Sequence, residues 1–197
     1  MGYQTIRHEM VDGVAVITLN RPEVMNALNS VMRAELTAAV FASSSARVVV
    51  LTGVGRAFCS GQDLTGLTSG GAVDPERTLR EEYEPLLRAI VACPVPVIAA
   101  VNGVAAGAGA SLALAADVVI ASEGAVFLQA FTRIGLMPDA GGTWHLPRQI
   151  GLARAMGAAL FAEPVSARQA MDWGMIWEAV ADDRFDLHWR ARAAQLA

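Results

Sequence analysis

Two aspartates stand apart from the acidic residues of solvated helix faces, because each lies beside a glycine-rich segment. Asp139 occurs in MPDAGGT, directly before a helical stretch, and Asp63 follows a glycine-rich stretch that begins at Gly53. An aspartate placed like Asp139 can act as a general acid or base, and it can equally cap the following helix. The residues alone leave both interpretations of Asp139 open. Asp63 is expected to be structural, accepting hydrogen bonds from loop N–H groups.

Ser111 suggests a second chemistry, nucleophilic catalysis. It lies in GASLA, one residue short of the G-x-S-x-G turn that presents the nucleophile of many hydrolases. Partners for a catalytic triad would come from the following residues: His145, His188, Asp117, Asp139 and Asp172. The final alanine departs from the motif, and a serine in an alanine-rich helix is typical of packing, so a serine hydrolase is disfavoured.

Glycine pairs at residues 53–58 (GVGRAF) and 107–112 (GAGASL) begin like a dinucleotide-binding fingerprint. Phe58 and Leu112 stand where the third glycine should be, so nicotinamide binding is disfavoured. Two other interpretations stay open for these glycines. They permit tight backbone geometry, or they free backbone N–H groups to bind an anion or a developing oxyanion.

These residues must be positioned by alternating strands and helices. Buried strands are predicted at Val14–Leu19, 47–52, Val97–Val101 and 117–121, with a short strand near 176–180. Helices are predicted at 75–91, at 107–116, and after a cap at Asn29 or Ser30, where Met32, Leu36, Ala39 and Val40 share one face. Residues 53–67 are too rich in glycine for a regular element, and residues 68–74 are predicted to form a mobile loop. Repeated βα units predict an α/β fold with a mostly parallel sheet, whose ligands bind after Thr52 and Val101.

Composition narrows the function further. The chain has 197 residues, about one domain, and all 15 of its basic residues are arginine. Schiff-base, pyridoxal-phosphate and P-loop chemistries that need a lysine are therefore excluded. The net charge of −4 offers no basic field for nucleic acid or an anionic membrane, so a small-molecule substrate is favoured.

The remaining signals concern metals and location. The two cysteines, Cys59 and Cys93, form neither a disulfide framework nor a zinc-binding pattern, so we expect no metal and a reducing cytoplasm. No targeting signal is visible at the N-terminus. The apolar stretch 104–121 contains Asp117 and is interpreted as a buried helix followed by a strand, rather than as a membrane helix.

Four ordered motifs resemble the enoyl-CoA hydratase/isomerase (crotonase) superfamily. They are NRPEVMNAL at 20–28, FCSGQDL at 58–64, PVPVIAAVNG at 94–103 and GGTWHLPR at 141–148. The resemblance runs from about residue 6 to 180 and implies a crotonase-like spiral of ββα units, of the ClpP/crotonase type, that binds acyl-CoA thioesters. It implies a spiral core over residues 1–184. The helical C-terminal part would begin at residue 185, and its remainder is expected to be absent from this chain.

The resemblance also implies roles for individual residues. Two backbone N–H groups hold the thioester carbonyl in this family, and they fall on Gln62 and Ala108. The CoA-binding segments fall near Ala27 and on Ser60, Gly61, Gln62, Asp63 and Leu64, while Tyr83 is expected to line the acyl pocket. Hydratases of the family use two glutamates, whose positions are occupied here by Ser111 and Phe131.

Asp139 is then the acid that remains in the pocket, and Phe131 would line the substrate site. Residues 131–144, which include both of these, and residues 102–110 together resemble the ring 1,2-epoxyphenylacetyl-CoA isomerase subgroup, which forms oxepin-CoA and also shifts 3-enoyl double bonds to the 2-enoyl position. A single carboxylate suffices for such isomerisation. Apolar surroundings from Phe131, Met137 and Trp144 would raise the pKa of Asp139 and make it a stronger base.

The sequence therefore predicts an acyl-CoA isomerase that needs no cofactor beyond the CoA of its substrate. Its expected assembly is a homotrimer or a dimer of trimers, without nucleic-acid or membrane partners. Two alternatives stay open. One is an enoyl-CoA hydratase with an atypical acid, and the other is a noncatalytic crotonase-like protein that binds CoA esters or RNA.

Overall fold

Strands and helices alternate along the whole chain. The computed structural model describes residues 2–65 and 74–197. The strands are β1 Ile6–Val11, β2 Val14–Leu19, β3 Val48–Gly53, β4 Ala57–Cys59, β5 Val97–Val101, β6 Val104–Ala106, β7 Val118–Ser122, β8 Val126–Leu128, β9 Val165–Ser166 and β10 Glu178–Val180. The helices are α1 Ser30–Ala42, α2 Pro75–Thr78, α3 Glu84–Val91, α4 Ala108–Leu114, α5 Gly142–Ile150, α6 Leu152–Phe161, α7 Ala167–Asp172 and α8 Phe185–Leu196. A π-helical turn at Leu79–Tyr83 joins α2 to α3, and short 3₁₀ turns occupy Pro22–Val24 and Ala130–Ile134.

A six-stranded sheet in the order β1-β2-β3-β5-β7-β10 forms the centre of the fold. β1 pairs antiparallel with β2, and every other pair in this sheet is parallel. β3 and β5 are continuous apolar runs because both faces of the sheet are covered. Helices α1 and α3 pack on one side, while Phe185 and Trp189 of α8 pack against Val50 and Ile98 on the other.

A second sheet, in the order β4-β6-β8-β9, consists of very short strands. β4, β6 and β8 each follow a strand of the large sheet, namely β3, β5 and β7, and each leads into a helical segment. This strand–strand–helix unit occurs three times in succession. The repetition brings the ends of β4 and β6, and the loops that follow them, to one region of the molecule.

Apart from β1, the strands of the large sheet agree with the pattern in the sequence, and so do the helical segments at Ser30–Ala42, 75–91 and Ala108–Leu114. Asn29 caps α1, since its side chain accepts a hydrogen bond from the Met32 N–H group at 2.8 Å. Pro75 opens a continuous helical segment to Val91, and β10 lies within the strand predicted near residues 176–180. The stretch 104–121 divides into β6, α4 and most of β7, and no helix among the described residues is long and apolar enough to span a membrane.

Two details differ from the sequence-based expectation, and a third prediction falls mostly outside the described residues. Residues 53–67 were expected to lack regular structure, but Ala57–Cys59 forms β4 because its backbone pairs with β6. The pattern also predicted neither β1 nor the short strands β6, β8 and β9, which have too few residues to show alternation. The expected mobile loop at 68–74 lies outside the described residues except for Asp74, which caps α2.

Candidate active site

A cavity of about 400 Å³ opens where the loops after β4 and β6 meet the π-helical turn. Its walls come from four chain segments, and most of its lining is apolar. The lining residues are Ser60, Gly61, Gln62, Leu64, Pro75, Thr78, Leu79, Tyr83, Gly107, Ala108, Ala130, Phe131, Arg133, Ile134, Leu136 and Asp139. Among the site residues predicted from the sequence, only Ala27 and Asp63 lie outside this lining.

The amide N–H group of Gln62 points away from Leu28, the residue beside it on the neighbouring chain segment. The Gly61 carbonyl, which shares that plane, accepts a hydrogen bond from the Leu28 N–H group at 2.7 Å. Because the C=O and N–H bonds of a trans peptide point in opposite directions, the Gln62 N–H group points away from Leu28. It has no acceptor within residues 2–65 and 74–197, and Gln62 lines the cavity.

The amide of Ala108 is the second unpaired donor at the cavity. Ala108 is the first residue of α4, and the Gly107 carbonyl of the same peptide accepts from the Ser111 N–H group at 3.1 Å. The Ala108 N–H group therefore points out of the helix, and no described residue accepts from it. A side chain at Gly61 would place its Cβ 3.3 Å from the Ala108 nitrogen, so the two amides belong to neighbouring segments.

The carboxyl group of Asp139 is turned into the protein rather than onto helix α5. Gly141 is the N-cap of α5 and no side chain caps that helix, so the helix-cap interpretation of Asp139 is wrong. Oδ1 of Asp139 is buried and has no hydrogen-bond partner in the described part of the chain. Burial raises the pKa of this carboxyl above its ordinary value, because a charged group is poorly solvated there.

The apolar surroundings of Asp139 differ in part from those expected. Phe131 is buried and lines the cavity, as predicted, but Met137 and Trp144 are 71% and 59% exposed. Met137 lies in the segment before α5 and Trp144 in the first turn of α5, and both side chains face solvent. The direction of the pKa shift was predicted correctly, although burial by other residues must supply most of it.

Ser111, which stands at the first glutamate position of family hydratases, supports the Asp139 segment. It is completely buried in α4, and its hydroxyl donates to the Asp139 backbone carbonyl at 3.1 Å. His145 lies on a different surface groove, and His188 is bonded to Glu178. The structure therefore brings no histidine to Ser111 within the described residues, which argues against a serine hydrolase.

Tyr83 reaches the cavity from the π-helical turn and contacts Gln62. Its hydroxyl donates to Oε1 of Gln62 at 2.7 Å, and burial raises the pKa of this phenol, so it stays neutral. The same Oε1 accepts from Arg33 of α1 at 2.9 Å. Arg33 was not predicted as a site residue, yet the sequence does show that this arginine lies on the buried face of α1. It stands three residues before Leu36 and seven before Val40, on the apolar face of the helix.

Ala27 and Asp63 meet beside the cavity through Arg21. The Arg21 guanidinium donates at 2.7 Å to the Ala27 carbonyl and, at the same distance, to Oδ2 of Asp63. Burial acts to raise the pKa of Asp63, but hydrogen bonds from Thr65 and Arg21 outweigh it and lower that pKa. Asp63 thus has the structural role expected from the sequence. No group of three or more metal-binding side chains is present in the described ranges.

Two backbone donors and one buried carboxyl group around an apolar cavity define a class of site. Such a site can stabilise negative charge on a carbonyl oxygen while a proton moves nearby. A family model described as enoyl-CoA hydratase/isomerase matches residues 9–197. The chain belongs to this enzyme family, whose members act on acyl-CoA thioesters, and its predicted crotonase-like α/β fold is confirmed.

Individual relatives agree with this family assignment. A protein of Rhodobacter capsulatus named "Probable enoyl-CoA hydratase" is 68% identical over 100% of this chain and 77% of its own length. The 1,2-epoxyphenylacetyl-CoA isomerase of Escherichia coli is 50% identical over 87% of this chain and 68% of its own. A crystal structure of an enoyl-CoA hydratase from Polaromonas sp. JS666 superposes with a TM-score of 0.90 at 35% identity, covering 97% of this chain and 76% of the other.

Proposed function

We propose that this chain is an acyl-CoA isomerase. In this proposal the amides of Gln62 and Ala108 hold the thioester carbonyl oxygen, and Asp139 moves the proton. One observation carries it: Asp139 provides the sole carboxyl group among the described residues that line the cavity with both free amides. One carboxyl group can move a proton between two carbons, whereas the family's two-glutamate route to hydration requires two.

The proposed reaction converts a 3-enoyl-CoA into a 2-enoyl-CoA. The ionised Asp139 carboxylate removes a proton from C2, which lies between the carbonyl and the alkene. The electron pair of the C2–H bond delocalises as a dienolate, whose negative charge rests on the thioester oxygen beside the two amides. The carboxylic acid then returns the same proton to C4, so that no water is added and no other reactant is needed.

The raised pKa of Asp139 suits this proton shuttle. A carboxylate whose pKa lies above the ordinary aspartate value binds a proton more strongly, and it is therefore a better base. Asp139 lines the cavity, and its Oδ1 atom receives no hydrogen bond from the described residues that would stabilise the ionised form.

We further propose ring 1,2-epoxyphenylacetyl-CoA as a substrate, with oxepin-CoA as its product, and hence a place in phenylacetate catabolism. Support comes from the 50% identity to the Escherichia coli isomerase and from the apolar cavity, which has Tyr83 and Phe131 in its wall. The other CoA-binding assignments, on Ala27 and residues 60–64, remain part of this proposal. We also place the enzyme in a reducing cytoplasm, since Cys59 and Cys93 are free thiols.

Hydration is the second candidate function, because the Rhodobacter capsulatus relative carries the name of a hydratase. In that case Asp139 would activate a water molecule for addition to a 2-enoyl-CoA. Ser111 and Phe131 argue against it, since neither can position or deprotonate water as a glutamate does.

The test compares the wild-type chain with Asp139→Asn on 3-hexenoyl-CoA, 2-hexenoyl-CoA and epoxyphenylacetyl-CoA, with products identified by mass spectrometry. The variant should lose about 100- to 10,000-fold in kcat, the usual contribution of a general acid or base, while hexanoyl-CoA still binds. Asp172→Asn, an exposed aspartate in α7, serves as the matched control. Undiminished turnover by Asp139→Asn would contradict the role of Asp139, and a hydrated product from 2-hexenoyl-CoA would favour the hydratase.

A further inference from the structure

A buried arginine on helix α1 joins the segments that build the proposed oxyanion site. The Arg33 side chain is only 4% exposed. Its Nη1 donates to the Leu28 carbonyl at 2.6 Å and to Oε1 of Gln62 at 2.9 Å. Its Nε and Nη2 donate to Oε2 of Glu82 at 3.0 and 2.6 Å, and its guanidinium lies 4.8 Å from the centre of the Tyr83 ring.

These bonds hold Gln62 through both its backbone and its side chain. Leu28 bonds the backbone on either side of Gln62, donating to the Gly61 carbonyl at 2.7 Å and accepting from the Asp63 N–H group at 3.1 Å. The carbonyl of Leu28 is therefore shared between Arg33 and Asp63. The Gln62 side chain is fixed separately, because its Oε1 accepts from both Arg33 and the Tyr83 hydroxyl.

We propose that Arg33 is a positioning residue that fixes the orientation of the Gln62 peptide and thereby aims its N–H group at the thioester oxygen. The inference rests on the proposed function of that amide. A donor stabilises a developing oxyanion only when it is oriented before the reaction, because reorientation during the reaction consumes part of the gain. Arg33 never touches the substrate in this scheme, since it acts through Leu28 and Gln62.

Stability alone does not account for an arginine here. A buried charge must be paired and hydrogen-bonded to be tolerated, and an apolar side chain of similar volume often stabilises a protein as well or better. Arg33 is different from an apolar residue in one respect: its fork of donors reaches Leu28, Gln62 and Glu82 together. That geometry links α1, the loop after β4 and the π-helical turn.

The decisive measurement is the carbonyl stretching frequency of bound hexanoyl-CoA, labelled with ¹³C at the thioester carbon and read by isotope-edited infrared difference spectroscopy. In the wild-type protein the band should lie below its frequency in water, because two N–H groups polarise the carbonyl. In Arg33→Gln the band should move back toward the free value, and kcat on 3-hexenoyl-CoA should fall about 10- to 100-fold, less than for loss of a whole donor. The dissociation constant of hexanoyl-CoA should change much less than kcat.

Further variants separate positioning from folding. Arg33→Lys keeps a cation that can bond Leu28 and Gln62, and should recover part of both kcat and the band shift. Tyr83→Phe removes the other bond to Gln62 Oε1 with little change in volume, so it should shift the band in the same direction even if Arg33→Gln is too unstable to purify. Arg168→Gln breaks an exposed ion pair with Glu123 and serves as the arginine control.

Two different outcomes would contradict the proposed oxyanion site and the positioning role of Arg33, respectively. If the wild-type protein shows no lowered carbonyl frequency, the oxyanion site itself is contradicted. If the wild-type band is lowered while folded Arg33→Gln retains both the band position and kcat, Arg33 is a structural residue only and the inference is overturned.

Discussion

At the scale of single residues, Asp139 combines a proposed catalytic role with a predicted cost in stability. Its pKa is higher in the folded protein than the ordinary aspartate value, so the unfolded chain loses this proton at lower pH. The contribution of Asp139 to stability therefore falls as pH rises from the ordinary aspartate range through the raised pKa. Above that raised pKa the stability contribution of Asp139 has been lost completely and no longer changes with pH.

We accordingly predict that Asp139→Asn is more stable than the wild type at neutral pH. Asparagine stays uncharged at every pH, so the difference in Tm should be small near pH 3.5 and should grow as pH rises, and then level off. Thermal unfolding of both proteins from about pH 3.5 to neutral pH measures this difference in Tm. The other carboxyl groups contribute equally to both proteins, so their effects on Tm cancel in the difference. A difference independent of pH would contradict burial of the Asp139 charge.

Gly61 gives a second prediction at this scale, since its backbone has φ +95° and an added Cβ would lie 2.8 Å from the Ala106 carbonyl oxygen. Gly61→Ala should strain the backbone by about 1–3 kcal/mol and crowd the Ala108 N–H group. The kcat for isomerisation should fall by about 100-fold or more, as when an oxyanion donor is lost. Unfolding in urea and steady-state kinetics measure the two effects.

Gly151→Ala is the control for Gly61→Ala. Its φ is +77°, but no atom of the described residues beyond its immediate chain neighbours lies within 4 Å of an added Cβ. It should therefore show backbone strain without loss of kcat. Equal kinetic losses in the two variants would mean that strain, rather than crowding of Ala108, explains the effect.

At the scale of elements, the sequence predicted what long periodic runs determine and missed what depends on tertiary pairing. The strands β3 and β5 and the helix α1 could be predicted because five or more residues show the pattern. The strands β4 and β6 have three residues each and are strands only because they pair with neighbours that are distant in sequence, β4 with β6 and β6 also with β8. The π-helical turn at Leu79–Tyr83, which directs Tyr83 toward Gln62, has no distinct sequence signal.

Helix α8 provides a prediction about an element. It packs on the face of the large sheet opposite helices α1 and α3, and forms a separate buried cluster with the strands there. Trp189 is 1% exposed and packs there with Val48 and Ile120. Trp189→Ala should lower the free energy of unfolding by about 3–5 kcal/mol, since it opens a large cavity. Urea denaturation measures the loss. Leu187→Ala, on the exposed side of α8, should change it by no more than about 0.5 kcal/mol, and equal losses would contradict the docking of α8.

At the scale of the whole molecule, the candidate site is assembled from residues that lie far apart in sequence. Resemblance in short motifs located Gln62, Ala108 and Asp139, and the structure places all three around one cavity. The contribution of Arg33 could not be predicted in the same way. Its importance depends on which carbonyl and side-chain oxygens lie opposite α1, and only the folded chain specifies these.

The surface of helix α6 leads to the last prediction, because it carries exposed apolar side chains at four-residue spacing, namely Leu152, Met156 and Leu160, with Phe161 beside them. This spacing places the first three on one face, and contiguous exposed apolar surface of this kind marks an interface. We expect this face to join copies of the chain into the homotrimer, or dimer of trimers, that the family resemblance implies.

Sedimentation equilibrium should therefore give a mass of three or six chains for the wild type, and Met156→Glu should shift it toward the 20.7 kDa of one chain. The introduced carboxylate would have to be buried unpaired in the interface, which costs several kcal/mol. Phe41→Glu, on the exposed side of α1, should leave the mass unchanged because Phe41 lies outside this surface. Dissociation by Phe41→Glu but not by Met156→Glu would place the interface on α1 instead, and a single-chain mass for the wild type would contradict the assembly itself.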